Sequence, residues 1–315
     1  MAALVTSLDR SSTMKQAAES WLAFNAHWKT APHMRTRIMH LVNNFPAGKP
    51  LGSLTRDEIN SWSQGLVDVT EFSPNYVRLL MTVGSMLYHW LEGEGLVDRN
   101  PFSLANVRRP PPVQFTREPI TYGEYKRAVL EASKPREQLP HGGGSEQADY
   151  LVGALKIGFF TGLRLGDVAR MAWTAEAENF SNWVDLEREV IAAYPGKVRR
   201  FRKMVEIPID PELREWLVEQ QARSDDRVWV LPSMRRIFSY NPQGVSRALV
   251  TVFERAGIKK SFHCFRHGFV TRLINAGVDP IVIGQMTGQS ISTIARYSHV
   301  SLDAKRAALA NLKLA

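Results

Sequence analysis

Cysteine is nearly absent from this chain, since Cys264 is the only one among 315 residues. A single cysteine excludes an intramolecular disulfide and a zinc site built from several thiolates. Long apolar runs are also missing, so no segment is predicted to span a bilayer, and the N-terminus lacks the pattern of a signal peptide. These absences predict a soluble protein of a reducing cytoplasm.

Acidic residues are fewer than basic ones, and the formal net charge is +9 with a pI of about 9.7. Residues 1–110 hold 11 Lys and Arg against 9 Asp and Glu, whereas the remainder holds 29 against 22. The basic excess therefore lies mostly in the second part. A charge of this size attracts polyanions. It is equally compatible with RNA, a membrane surface or mere solubility.

The chain is predicted to be mainly α, with a small antiparallel β-sheet and two domains. Residues 13–106 show helical spacing, and helix-start signals occur at TRDE (55–58), at Ser73-Pro74 and at TYGE (121–124). The runs WVDL, EVIAAY and MVEIPI within 180–209 alternate as strands do. The basic, Pro-rich segment 107–118 is predicted to be a stiff linker. An ordinary surface loop is the alternative there. The second domain is predicted over 119–315, with a C-terminal helix.

The stretch TGLRLGDVARMAW (161–173) is the first that could carry chemistry. Gly162 permits a tight turn, and Arg164 follows near the start of a new helix. Asp167 lies three residues further on and could orient the guanidinium. A turn arginine paired with this aspartate, without any catalytic role, is the simpler interpretation of the motif alone.

A cationic hairpin is predicted between two strand-like runs, in YPGKVRRFRKMVEIPI (194–209). An anionic phosphate backbone would neutralise such a tip, although a solvated hairpin is an equal alternative. Its five cations are Lys197, Arg199, Arg200, Arg202 and Lys203.

Two further stretches are HCFRHGFVTRL (263–273) and TGQSISTIARYSHV (287–300). His263 and Arg266 are three residues apart and share a helix face. His263, Cys264 and His267 do not make a convincing metal site, because no cysteine pair or carboxylate cluster completes it. Buried, hydrogen-bonded histidines are the main alternative. Tyr297, viewed alone, is more often a packing residue than a nucleophile.

The order of these motifs resembles the tyrosine recombinase (phage integrase) family. The order is Gly-Leu-Arg, a lysine in a β-hairpin, His-x-x-Arg, Gly-Gln in the place of Gly-His, and Arg-Tyr-x-His. The resemblance covers residues 113–300, and the preceding helical segment resembles the family's core-binding domain. It implies the two-domain recombinase fold, with a helical core-binding domain and an α/β catalytic domain.

The resemblance assigns a role to each matching residue. Arg164 and Arg266 would grip the scissile phosphate through bidentate guanidinium contacts. His263 would position the phosphate and assist proton transfer. Tyr297 would be the nucleophile that forms a 3′-phosphotyrosyl link. Lys197 would protonate the leaving oxygen, with Lys203 as the second candidate.

Gln289 departs from the family, which has His or Trp after this glycine. Its amide can donate a hydrogen bond but cannot supply a proton near pH 7. The interval from this position to the tyrosine is also about one residue short. Further supporting roles would go to Asp167, His267 and His299. The expected DNA-binding residues are Arg108, Arg109, Arg199, Arg200, Arg202 and Lys203.

The implied partners are double-stranded DNA and three further copies of the chain, with neither a metal nor another cofactor. The segment 301–315 is expected to pack on a neighbouring protomer, with packing on its own protomer as the alternative. A type IB topoisomerase-like enzyme and a catalytically silent DNA-binding homologue remain competing functions. The expected location is the cytoplasm, in association with DNA.

Overall fold

Helices dominate the part of the chain that the structure describes. A computed structural model of the protein describes residues 8–28, 31–45, 48–69, 72–103, 105, 107–113, 118–134, 145–177, 181–196 and 203–295, and of residues 145–149 it describes the backbone alone. The chain divides into two compact units, Met1–Phe115 and Thr116–Ala315. No helix among the described residues is long and apolar enough to cross a membrane.

The first unit is helical throughout its described elements. Its helices are α1 (Met14–Phe24), α2 (Ala31–Asn43), α3 (Arg56–Val69) and α4 (Pro74–Gly93), with single 3-10 turns at Leu51–Ser53 and Pro101–Ser103. Their apolar faces share one core, in which Phe102 packs against Gly84 at the middle of α4. A Cβ at residue 84 would lie 2.6 Å from Phe102 Cζ, so this contact requires glycine.

The predicted helix-start signals are confirmed. The backbone N–H of Thr55 donates to Glu58 Oε2 at 3.0 Å, and the N–H of Glu58 donates to Thr55 Oγ1 at 3.3 Å. Ser73 caps α4, whose first residue is Pro74. Thr121 and Glu124 form the same reciprocal pair at the first helix of the second unit. These local contacts satisfy backbone donors that a helix N-terminus otherwise leaves open.

Part of the predicted linker is hydrogen-bonded to the first unit. The N–H of Arg108 donates to Asn60 Oδ1 at 2.8 Å, and Arg78 Nη1 donates to Pro110 O at 2.8 Å. Asn75 exchanges two bonds with the backbone of Val113. Residues 107–113 therefore run along α3 and α4, and the predicted linker 107–118 spans the division between the units.

The second unit combines helices with a small sheet. Its helices are α5 (Tyr122–Ala132), α6 (Ser145–Thr161), α7 (Leu165–Val168), α8 (Pro211–Arg223), α9 (Pro232–Tyr240), α10 (Pro242–Arg255), α11 (His263–Asn275), α12 (Pro280–Thr287) and α13 (Ile291–Ile294). Its strands are β1 (Met171–Ala172), β2 (Asn182–Asp185), β3 (Val190–Ala193) and β4 (Val205–Pro208).

The predicted fold class is confirmed, with one addition to the sheet. The three predicted runs form β2, β3 and β4, which pair antiparallel with Val184 opposite Ile191 and Ile191 opposite Ile207. The short strand β1 adds a parallel pairing, with Ala172 opposite Trp183. The described sheet is therefore mixed, in the order β1-β2-β3-β4.

Glycines bring α6 and α11 close together in the core of the second unit. A Cβ at Gly158 would lie 2.5 Å from Phe262 Cζ, and a Cβ at Gly162 would lie 2.9 Å from Phe269 Cβ. Close-packed interiors tolerate such approaches only where the side chain is absent. The end of α6 is thereby fixed against the helix that carries the His-x-x-Arg motif.

Candidate functional site

The Arg164 turn begins where α6 ends. Gly162 has φ of +62°, a left-handed conformation that favours glycine, and its N–H donates to Gly158 O at 3.0 Å. Arg164 then precedes α7, and its carbonyl accepts from the N–H of Asp167 at 2.8 Å. Arg164 is half-buried. The prediction of a tight turn with an arginine at the start of a new helix is confirmed.

Arg266 connects this turn to α11, in which it lies, and to the end of α12. Its side chain is 2% exposed within α11. Nη1 donates to Gly162 O at 3.2 Å, and Nη2 donates to Thr287 O at 2.6 Å. One guanidinium therefore contacts the end of α6 and the end of α12. Three of the motifs found in the sequence meet at this side chain.

The two carbonyls belong to Thr-Gly pairs at helix ends, to Gly162 in the first pair and to Thr287 in the second. Thr161 and Thr287 are the last residues of α6 and α12, and each is followed by a glycine with positive φ. The hydroxyl of Thr161 donates to Ile157 O at 2.5 Å, and that of Thr287 donates to Ile283 O at 2.7 Å. Because a helix C-terminus carries partial negative charge, both ends stabilise a buried cation.

The two histidines of α11 are not both buried, contrary to the simpler alternative considered above. His263 is the first residue of α11 and is exposed, while His267 is half-buried. Their rings lie 5.2 Å apart between centroids and form an edge contact. Among the described residues, no group of three or more His, Cys, Asp or Glu is placed to hold a metal ion.

Asp167 contacts the start of the cationic hairpin. Its side chain is 2% exposed, and Oδ1 accepts from the N–H of Gly196 at 3.0 Å. The orientation of Arg164 by Asp167 stays a prediction. The carboxylate joins the Arg164 turn to the residue that precedes Lys197 in the chain.

Asn182 joins the same two segments and was missed in the sequence. It is fully buried at the start of β2. Its Nδ2 donates to Asp167 O at 2.7 Å, and its Oδ1 accepts from the N–H of Tyr194 at 2.8 Å. The only available signal was a polar residue opening a strand-like run, which does not reveal its partners.

Gln289 follows the turn that ends α12. Gly288 has φ of +66°, and a Cβ there would lie 3.1 Å from Pro195 Cγ, so this turn packs on the hairpin. Gln289 is half-buried, and its Oε1 lies 3.4 Å from Thr287 Oγ1. The Gly-Gln motif therefore lies beside both Arg266 and the hairpin.

A half-buried lysine supports the loop before α11. Lys260 Nζ donates to Glu124 Oε1 at 2.7 Å and to Pro119 O at 2.9 Å. Burial disfavours the charge of Glu124, but hydrogen bonds from Lys260 and Thr121 outweigh it and lower its pKa. These contacts attach Pro119 and Glu124, at the start of the second unit, to Lys260, which lies three residues before His263.

Several predicted site residues lie elsewhere. Lys203 is exposed just before β4, and Arg108 and Arg109 are exposed in the first unit. Six predicted residues lie outside the described ranges, namely Lys197, Arg199, Arg200, Arg202, Tyr297 and His299. Among the described residues, the structure therefore groups the Arg164 turn, Asp167, Arg266, Gln289 and the base of the hairpin.

Comparison with known proteins identifies clear relatives. The model of the phage integrase family matches residues 141–303, more than half of the chain. The tyrosine recombinase XerD of Neisseria meningitidis serogroup A is 29% identical over 223 residues, which cover 68% of this chain and 69% of that protein.

Solved structures share the fold. A lambda integrase dimer bound to a COC′ core site has a TM-score of 0.67 and 17% identity, covering 91% of this chain and 95% of that chain. A lambda integrase tetramer bound to a Holliday junction also has a TM-score of 0.67, at 18% identity, covering 94% of this chain and 80% of that chain. At such identities the likeness concerns the fold alone.

Proposed function

The chain belongs to the phage integrase family, the tyrosine recombinases, and we propose that it cuts and rejoins duplex DNA at specific sites. The reaction passes through a covalent 3′-phosphotyrosyl intermediate. Its biological outcome is the integration or excision of a mobile element, in the cytoplasm and in association with DNA.

The position of Arg266 carries this proposal. Its guanidinium contacts Gly162 O and Thr287 O, and so joins the Arg164 turn to the turn that precedes Gln289. Separate motifs that would act on one phosphate are thereby connected through one cation. Arg266 is nearly covered, and in such an environment a charged hydrogen bond is stronger than it is in water.

The chemistry follows from the residue types. Tyr297 attacks the scissile phosphorus, so that a Tyr O–P bond forms while the P–O5′ bond breaks. Negative charge grows on the non-bridging oxygens, where Arg164 and Arg266 would stabilise it. His263 is exposed at the start of α11 and would hold the phosphate and assist proton transfer.

The leaving O5′ needs a proton, which Lys197 would donate, with Lys203 as the second candidate. The reverse attack by a 5′-hydroxyl restores the phosphodiester and releases Tyr297. The phosphoester bonds are conserved throughout, so the proposed reaction consumes no ATP. The two arginines supply the positive charge, and the proposal includes no metal ion. Asp167, His267 and His299 would support these groups.

Duplex DNA and further copies of the chain are the proposed partners. The net charge of +9 favours binding to the phosphate backbone, through Arg108, Arg109 and the hairpin cations among others. We propose that the active assembly is a tetramer, by analogy with the lambda integrase tetramer on a Holliday junction. The segment 301–315 would pack on a neighbouring protomer.

Covalent capture tests the proposed activity and finds the DNA site. The full-length chain is incubated with a library of nicked duplexes of random sequence, in which loss of the short fragment that carries the new 5′-hydroxyl traps the intermediate. Wild-type protein should retain a defined sequence after denaturation, in EDTA and without ATP, whereas Tyr297→Phe should retain none. DNA binding without any adduct would favour the catalytically silent alternative, for which Gln289 is the motive.

A second assay separates recombination from topoisomerase-like resealing. Two labelled duplexes carrying the captured sequence are incubated with the wild-type chain, and a supercoiled plasmid without that sequence is incubated in parallel. Site-dependent strand exchange supports the recombinase. Relaxation of the plasmid without exchange would instead support the topoisomerase-like function.

A further inference from the structure

Asn182 is a buried polar side chain whose position matters for the proposed chemistry. Of its two bonds, one goes to the carbonyl of Asp167 and the other to the N–H of Tyr194, at 2.7 and 2.8 Å. Tyr194 directly follows β3 and lies two residues before Gly196. The asparagine amide thus joins the Arg164 turn to one arm of the hairpin.

A second bond joins the same pair of segments. Asp167 accepts from the N–H of Gly196 through its carboxylate and from Asn182 through its own carbonyl. Both residues are at most 2% exposed. Pro195, between the two attached hairpin residues, also contacts the turn at Gly288. The hairpin base is therefore fixed on both sides by the segments that contact Arg266.

We propose that Asn182 is a positioning residue for the proton-donating lysine of the hairpin. This inference rests on the proposed function. Asn182 acts through the hairpin base, since Gly196 directly precedes Lys197 in the chain, and Lys203 lies two residues before β4. A proton donor must come within about 2.6–3.2 Å of the atom that it protonates, so a small shift of the base reduces its efficiency.

Asparagine suits this position because it donates and accepts at once. Its Nδ2 meets a carbonyl and its Oδ1 meets an N–H, so both partners are satisfied in a buried place. Alanine would leave both partners without this side chain. Aspartate has nearly the same shape, but its ionised form cannot donate to Asp167 O. Both substitutions should loosen the hairpin base relative to the Arg164 turn.

The test compares two leaving groups in single-turnover cleavage by the full-length chain. Both nicked duplexes carry the sequence captured with wild-type protein, and they differ only in the bridging atom of the scissile phosphate, O5′ or sulfur. A thiol has a pKa of about 8.5, so it leaves as the thiolate without a donated proton, whereas an oxygen leaving group resembles water, with a pKa of about 15.7. The sulfur duplex therefore reports cleavage that is independent of the lysine.

The ratio of the two cleavage rates is the readout. Loss of folded protein lowers both rates equally and leaves their ratio unchanged. General-acid catalysis is worth about 10² to 10⁴ in rate, so we expect Asn182→Ala and Asn182→Asp to lose at least about tenfold on oxygen and less than about threefold on sulfur. Lys197→Ala and Lys203→Ala are the reference variants, one of which should show the same selective loss.

Thr121→Ala is the matched control. It removes the N-terminal cap of α5, which is far along the chain from the hairpin, and it should change both rates by the same factor. Equal loss on both duplexes for the Asn182 variants, or unchanged rates on both, would overturn the positioning role. If the sulfur duplex restored the cleavage rate of neither Lys197→Ala nor Lys203→Ala, the positioning role would be overturned as well. Failure of the wild-type chain to form an adduct on either duplex would instead reject the proposed function itself.

Discussion

Replacement of Gly162 by alanine should destabilise the second unit by more than the cost of its positive φ alone, although it adds only one methyl group. Gly162 has φ of +62°, where a side chain costs about 1–2 kcal/mol. The added Cβ would also lie 2.9 Å from Phe269 Cβ and 2.9 Å from Phe269 Cδ1. Since Phe269 Cβ is attached directly to the α11 backbone, no rotamer change relieves that contact. Overpacking of this kind costs about 1–3 kcal/mol, for a total of about 2–5 kcal/mol.

Gly257→Ala separates the two contributions. Gly257 has φ of +71°, but a Cβ there would meet no heavy atom within 4 Å among the described residues. It should therefore lose only the conformational part, about 1–2 kcal/mol. The difference between the two variants measures the steric contact between the end of α6 and α11.

Urea-dependent hydrogen exchange, read by mass spectrometry on peptides of α6 and α11, is the suitable assay. A chain of two units can unfold in more than one step, and this readout assigns the transition to the second unit. Gly162→Ala should lower the free energy of unfolding by at least about 1 kcal/mol more than Gly257→Ala does. Equal losses in the two variants would refute the packing argument.

Two further outcomes follow from the ion pairs and hydrogen bonds of the second unit. The pKa of Glu124 is lowered by Lys260, so this contribution to stability is present above the ordinary carboxyl pKa of 4.5 and is lost as the pH falls through the lower, folded value. Lys260→Met should therefore flatten the decline of the urea midpoint on acidification, whereas the exposed neighbour Lys259→Met should not. The same dependence of the urea midpoint on pH in both variants would contradict this. Lysine cannot contact both carbonyls that Arg266 contacts, so Arg266→Lys should lower the rate of adduct formation by a factor of about 10²–10³. The DNA affinity, measured by filter binding, should stay within about threefold of wild type. An unchanged rate, or the same loss of rate in the exposed variant Arg223→Lys at the end of α8, would contradict the role of Arg266.

Features encoded by neighbouring residues could be predicted from the sequence. The Thr55–Glu58 and Thr121–Glu124 pairs could be predicted because a capping box needs residues only three positions apart, and the structure confirms both pairs. The strands β2, β3 and β4 were predicted because alternation of apolar residues has a period of two, whatever lies opposite. The turn before Arg164 could be predicted because it depends on a single nearby residue, Gly162, which has positive φ.

Features that depend on distant partners could not be predicted. The strand β1 is two residues long, too short for any periodicity, and it forms by pairing with Trp183 and its neighbour. Asn182 carries no local sign that its amide faces Asp167 and Tyr194, which are 15 and 12 residues away. The exposure of His263 likewise depends on where α11 begins in the packed unit.

The Thr-Gly pairs at 161–162 and 287–288 explain why Arg266 can be buried. In each pair the threonine ends a helix and the glycine turns the chain through positive φ, so that a terminal carbonyl is freed to accept from the guanidinium. A helix end contributes about half an elementary charge, less than a carboxylate would. These two contacts therefore hold the guanidinium between the end of α6 and the end of α12. A fixed orientation is the property that the proposed reaction requires of a cation that stabilises the charge growing on the phosphate.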